Sequence, residues 1–141
     1  MNQKTKYTLR TCLGAAFAAL LINPLASYAG TWSNQGGPNQ WKYDLGDGSY
    51  AADGWYWIDS DQDGMEECYY FDKKGIRKTG WVKYKKDRYY FDRKTARAYT
   101  GKKAVNNKLY IFGKDGRLVK KKGLYKYGKT QVYINKNGSL A

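Results

Sequence analysis

The sequence predicts an all-β fold, a solenoid of stacked β-hairpin repeats of about 20 residues each. A short aromatic pattern recurs along the chain at near-constant spacing. The apolar material is aromatic, with 15 tyrosines and five tryptophans, side chains that favour pleated, half-buried surfaces. Beyond residue 29, alanine, leucine and proline are scarce, which leaves little from which to build long amphipathic helices.

Residues 1–29 read as a signal peptide. Lys4, Lys6 and Arg10 make a basic start, Leu13 to Ile22 is apolar, Pro24 breaks the run, and Ser27-Tyr28-Ala29 offers small residues before Gly30. That is the three-part secretory pattern, with cleavage expected before Gly30. The apolar run is shorter than the roughly 20 residues a bilayer span needs, so no transmembrane anchor is expected. Residues 30–141 then form one domain of net charge +11. Loss of Cys12 with the leader leaves Cys68 as a lone thiol. It reads as a small buried hydrophobe in a fold held by packing without an internal disulfide.

Four stretches align: Cys68 to Gly75, Arg88 to Thr95, Leu109 to Gly116, and Gln131 to Gly138. A fifth, weaker copy runs from Trp41 to Gly48. Phe71, Phe91, Phe112 and Ile134 step by 20, 21 and 22 residues, and Gly54, Gly80, Gly101 and Gly123 open the units. Each unit reads as one hairpin. In Trp81 to Asp92, two aromatic runs flank the polar Lys85-Lys86-Asp87 turn. Alternation along the strand puts Tyr89 and Phe91 on one face and Tyr90 on the other. Asn106-Asn107 and Gly128-Lys129 supply turn chemistry in the last two units. A lone hairpin is marginal, so the units are expected to stack along an aromatic seam.

These residues resemble the choline-binding and glucan-binding wall repeats of Gram-positive surface proteins. Gly54-Trp55 and Gly80-Trp81 match the opening of that family's unit. Tyr69-Tyr70-Phe71 with Gly75, and Tyr89-Tyr90-Phe91, match its second strand. The resemblance covers roughly residues 32–141 and implies a left-handed solenoid attached to a wall polymer. It implies ligand cages between adjacent repeats, where a quaternary ammonium lies on electron-rich ring faces. Carried over by position, the first cage is Trp32, Trp41 and Tyr70. The second is Trp55, Cys68 and Tyr90. The third is Trp81, Arg88 and Ile111, with a cation in one wall. The fourth has only Lys102 and Leu109 in its slots. Trp55 and Trp81 can equally be read as packed seam.

Charge divides the chain. Residues 30–72 carry one basic and nine acidic side chains, whereas residues 73–141 carry 22 basic and three acidic ones. Such a field attracts polyanions, and outside the cell teichoic acid is the expected one. Lys85, Lys86, Arg88 and Arg93 in one hairpin and Lys120, Lys121 and Lys122 between two are the candidate anion-binding residues. The alternative is a set of solvated turn residues that keep an aromatic surface soluble. Interleaved tyrosine and lysine would also suit single-stranded nucleic acid, but the secretory signal argues against that partner.

Asp59, Asp61 and Asp63 with Gly64 have the spacing of the start of a calcium loop. The twelfth position, which should hold a bidentate acid, is Tyr70, and the flanks read as strands. The segment is therefore read as a long acidic hairpin loop with an incomplete ligand set. No cofactor is expected. The chain has no histidine, which removes the commonest general base and every Ser/His or Cys/His pair. Its carboxylates lie in turns, not in a cleft as glycan hydrolysis requires. The sequence thus describes a secreted, wall-associated, non-catalytic module. The alternative is a structural spacer or adhesin fragment without a specific ligand. Exposed hairpin edges leave pairing with a second chain open.

Overall fold

The structure, a computed structural model, describes residues 30–141. The signal-peptide reading of residues 1–29 lies outside the described residues. Every regular element is a strand: β1 (Thr31–Asn34), β2 (Trp41–Asp44), β3 (Gly54–Ile58), β4 (Glu67–Phe71), β5 (Gly80–Tyr84), β6 (Asp87–Phe91), β7 (Gly101–Val105), β8 (Lys108–Phe112), β9 (Gly123–Tyr127) and β10 (Thr130–Ile134). They pair as five antiparallel hairpins, each a sheet of two strands. The expected all-β array of hairpin repeats is what the chain forms. It falls into two compact units divided between Thr79 and Gly80, inside the stretch the sequence reads as one domain.

Turn chemistry sets the registers. Asn106 and Asn107 both have positive φ (48° and 61°) between β7 and β8. This is the conformation that matches strand twist in a tight hairpin and that asparagine tolerates. Lys85 takes φ 53° between β5 and β6, and Gly128 takes φ 61° between β9 and β10. Tight turns fix Trp81 opposite Tyr90, Lys102 opposite Ile111, and Leu124 opposite Tyr133. The first two hairpins have longer connections, yet keep the same frame, with Trp32 opposite Tyr43 and Trp55 opposite Tyr70.

Each hairpin is followed by a return segment. Asp72 Oδ1 accepts the amides of Lys74 and Ile76 at 2.9 and 3.0 Å, and Asp92 Oδ1 accepts those of Lys94 and Thr95 at 2.9 and 2.8 Å. These side-chain turns direct the chain back to form a bridge with the end of its own second strand, as in Phe71 with Arg77 and Phe112 with Leu118. Within each unit, the return segment also stitches its hairpin to the previous one. The Arg77 amide donates to the Trp41 carbonyl at 2.9 Å, Leu118 to Arg88 at 2.8 Å, and Leu140 to Leu109 at 2.8 Å.

Within unit 1 the core contains Tyr43, Trp55, Ile58, Tyr69 and Phe71. Within unit 2 Tyr90, Val105, Tyr110, Phe112 and Leu118 form one cluster, with Trp81 and Tyr99 packed against it. Tyr89 and Tyr90 are both buried, at 1% and 5% exposure. The strand therefore hides both faces, where simple alternation would leave one in water. Cys68 is buried as expected, but no described cysteine is a free thiol. The reading of Cys68 as a lone thiol turns on the loss of residues 1–29, which lie outside the described residues.

Gly75 closes the return turn after β4 with φ +76°, and a β-carbon there would stand 3.1 Å from the Ala51 carbonyl oxygen. Left-handed backbone costs a side-chain-bearing residue about 1–2 kcal/mol. Gly75→Ala is therefore expected to lower the thermal midpoint by roughly 5–10 °C, measured by circular dichroism. An unchanged midpoint would show that this turn does not hold the unit.

Candidate ligand cages and basic surface

In unit 1, Trp32 on β1 meets its cross-strand partner Tyr43 edge-on at 4.9 Å between ring centroids. It also meets two rings of the next hairpin, Tyr69 at 5.1 Å and Phe71, stacked, at 5.9 Å. Tyr69 and Phe71 share a face of β4 because strand side chains alternate. Tyr70 lies on the opposite face and packs against Trp55 at 4.9 Å. The third wall carried over by position is thus displaced by one residue, from Tyr70 to Tyr69, and a step of one along a strand exchanges its faces.

Unit 2 repeats the arrangement. Trp81 on β5 meets Tyr90 at 5.2 Å, then Tyr110 at 5.1 Å and Phe112 at 6.0 Å in the following hairpin. Tyr110 stands where Ile111 was expected, by the same step. Ile111 is buried and instead lines a cavity of about 450 Å³ with Tyr125 and Tyr127. Tyr90, Tyr99 and Trp81 make a continuous set of rings, with Tyr90 and Tyr99 4.9 Å apart.

The other carried-over sets are less cage-like. Trp55 and Cys68 are core residues of unit 1, with 7% and 8% exposure, and Tyr90 is a core residue of unit 2. Lys102 is exposed and Leu109 is 42% exposed, so the fourth set has no ring at either slot.

A cation already lies on the rings of each remaining cluster. The Arg77 guanidinium is 5.2 Å from the Trp32 ring and 5.3 Å from the Trp41 ring. Burial pushes its pKa down, and the nearby Tyr69 acts the other way. An arginine starts so high that it stays charged. The Arg88 guanidinium lies 4.2 Å from the Trp81 ring. By sequence Arg88 stands both in the third cage beside Trp81 and among the anion-binding residues; it lies half-buried on this tryptophan, as the cage position implies. Arg77 was missed, because its contact with Trp32 and Trp41 spans hairpins and leaves no local signal.

Lys85, Lys86, Arg93, Lys120, Lys121 and Lys122 are all exposed. The structure joins two of the sequence clusters, since the Lys120 ammonium donates to the Lys86 carbonyl. Unit 2 carries 18 basic and three acidic residues. Asp87 and Asp115 are engaged by Arg117 at 3.6 and 3.3 Å. Asp92 is engaged by its turn amides and by the Tyr99 hydroxyl at 3.0 Å. Little acidic surface is left to offset the lysines. Lys108, Lys122 and Lys136 also line a shallow cavity of about 660 Å³ with Asn135 and Asn137. Lys108 and Lys136 were not singled out by sequence, because they lie far apart along the chain.

The carboxylate oxygens of Asp59, Asp61 and Asp63 lie within 4.8 Å of one another. The Asp59 carboxylate accepts the amides of Asp63 and Gly64 at 3.1 and 2.9 Å. Tyr70, at the twelfth position, is in β4. The cluster shapes its own loop.

The Trp81 contacts set a measurable cost. Trp81→Ala is expected to destabilise unit 2 by about 2–3 kcal/mol in denaturant unfolding, below a fully buried tryptophan because the ring is half-exposed. Leu124 takes the equivalent slot in the last hairpin and is 73% exposed, so Leu124→Ala should cost under about 0.5 kcal/mol.

No protein-family model and no curated protein matches the sequence. Among solved structures the chain is similar to choline binding protein F from Streptococcus pneumoniae, with 30% identity and a TM-score of 0.66 over 78% of this chain and 34% of that one. It is similar to CbpJ from Streptococcus pneumoniae, with 25% identity and a TM-score of 0.63 over 78% and 35%. It is also similar to the pneumococcal cell wall endolysin from phage Cp-1 in complex with choline, with 26% identity and a TM-score of 0.56 over 80% and 37%. The chain spans about a third of the length of these proteins. In its five-hairpin architecture and its repeat, the chain is similar to the choline-binding repeat proteins among these structures.

Proposed function

We propose that residues 30–141 are a secreted, non-catalytic module that attaches to a polymer of the Gram-positive cell wall, with the phosphates of teichoic acid as the main target of unit 2. The observation that carries this reading is the lysine-rich exposed surface of unit 2, beside inter-hairpin tryptophan clusters of the kind a wall-binding family uses. The endolysin relative has been solved with choline and with a peptidoglycan analogue. Choline-bearing or glucan polymers are accordingly the ligands the rings would meet. Secretion rests on the signal-peptide reading of residues 1–29. Among the described residues no helix is long and apolar enough to cross a membrane.

Catalysis has little to work with. Histidine is absent, and Asp72, Asp92 and Asp59 are spent on backbone amides of their own turns. A spacer role is favoured only for the last two hairpins, whose opening slots are Lys102 and Leu124 in place of tryptophan.

Purified walls provide the test. The protein is expected to be retained, to be released at about 1 M salt, where the Debye length is about 3 Å, and to lose most retention once teichoic acid is stripped. Combining Lys120→Gln, Lys121→Gln and Lys122→Gln should weaken retention roughly tenfold at low salt, since each lysine is a point charge towards phosphate. Equal retention by stripped walls, or insensitivity to salt, would contradict the teichoic acid assignment. No retention at all would favour the spacer.

A further inference from the structure

Both tryptophan clusters hold a guanidinium, yet the two arginines come from different places in the repeat. Arg88 lies on the second strand of its hairpin, β6. Arg77 lies on a return segment, after β4. The two positions face each other across one backbone hydrogen bond. In unit 1 the return residue Arg77 donates its amide to the strand residue Trp41 at 2.9 Å. In unit 2 the return residue Leu118 donates to the strand residue Arg88 at 2.8 Å. The facing pair is therefore Trp41 and Arg77 in one unit and Arg88 and Leu118 in the other. The apolar and cationic members have changed sides, and the guanidinium reaches the face of the opening tryptophan either way.

A third such pair is the control. The Leu140 amide donates to the Leu109 carbonyl at 2.8 Å. This pair has no cation, and its opening slot holds the exposed Lys102. Trp32 and Trp81 each carry an arginine on the ring face, and the Lys102 slot has neither a tryptophan nor an arginine in its facing pair.

A guanidinium on an indole face and a quaternary ammonium on that face use the same attraction, that of a cation for the negative ring quadrupole. They exclude each other sterically. The arginine is tethered, so its effective concentration at the ring is of the order of millimolar or higher, and it gains from pre-paid positioning. A free ammonium ligand must displace it and forgo that tethered contact.

We propose that Arg77 and Arg88 are specificity-determining residues, resident cations that keep the Trp32–Trp41 and Trp81 cages closed to quaternary ammonium groups. The assignment rests on the reading of these clusters as ligand cages. It directs wall attachment to the phosphate-binding lysines, and it makes the choline response of this chain a property of two side chains that can be removed.

Titration of free choline chloride into the protein, followed by tryptophan fluorescence and calorimetry, tests this. The unaltered chain is expected to bind choline at least tenfold more weakly than Arg77→Ala or Arg88→Ala, a difference of about 1.4 kcal/mol. Folded variants that bind choline no better than the unaltered chain would overturn the proposal. Arg77→Met keeps the apolar stem that packs on the rings and replaces the alanine variant if that fails to fold. In the unaltered chain, the Arg77 and Arg88 Nε–H resonances should be shifted by the ring currents and stay in place as choline is added. Their displacement at low choline would also overturn it. Binding of the same variants to walls separates the two readings. Loss of wall retention by every form would remove the module function, whereas a choline gain in the variants would stand independently of it.

Discussion

Five-residue strands in a lone hairpin bury too little surface to offset the entropy of ordering them. The structure depends on one remedy, repeated: the opening tryptophan of a hairpin inserts between its own cross-strand tyrosine and the tyrosine and phenylalanine of the next hairpin. Trp32 does so with Tyr43, Tyr69 and Phe71, and Trp81 with Tyr90, Tyr110 and Phe112. Within each unit the return segments add a backbone bond to the preceding hairpin, so that packing and hydrogen bonding act on the same junction. Where the tryptophan is absent, in the last two hairpins, the slots hold an exposed lysine and an exposed leucine, and the junction relies on Leu118, Leu140 and the smaller rings.

The same junction governs function. An indole that is half-buried for stability still offers a face, and a face of that kind attracts cations. The chain supplies its own, Arg77 and Arg88, and on the proposed function the exposed lysines of unit 2 would then be the surface that meets a polymer. Stability and specificity are thus fixed by neighbouring side chains. On the proposal above, a change at Arg77 would alter what the cage accepts, whereas a change at Trp32 would remove ring contacts that hold the junction. The wall-binding reading and the closed-cage reading agree on phosphate as the group first recognised.

The hairpins were legible in the sequence because their determinants are local. Asn106-Asn107 and Gly128-Lys129 announce their turns, and the spacing of Phe71, Phe91 and Phe112 fixes the period. The cage walls were legible only to within a residue. Tyr69 and Tyr70 are chemically alike, and which of them faces Trp32 depends on the register with β3, not on residue type. Arg77 was illegible for a stronger reason. It lies 45 residues after Trp32, and only the stacking of one hairpin on the next brings its guanidinium to the ring. The long acidic loop shows the opposite case, a local motif with calcium-like spacing whose first carboxylate is used by its own backbone.

Amide hydrogen exchange at three residues tests the dependence of the fold on its junctions. Arg77, Leu118 and Leu140 donate their amides across hairpins. If the hairpins are held by their neighbours, these amides should exchange as slowly as the amides inside the paired strands, because one event opens both. Exchange at the rate of a free chain, with the strand amides still protected, would mean that the hairpins stand alone and that the junctions described above do not hold the fold.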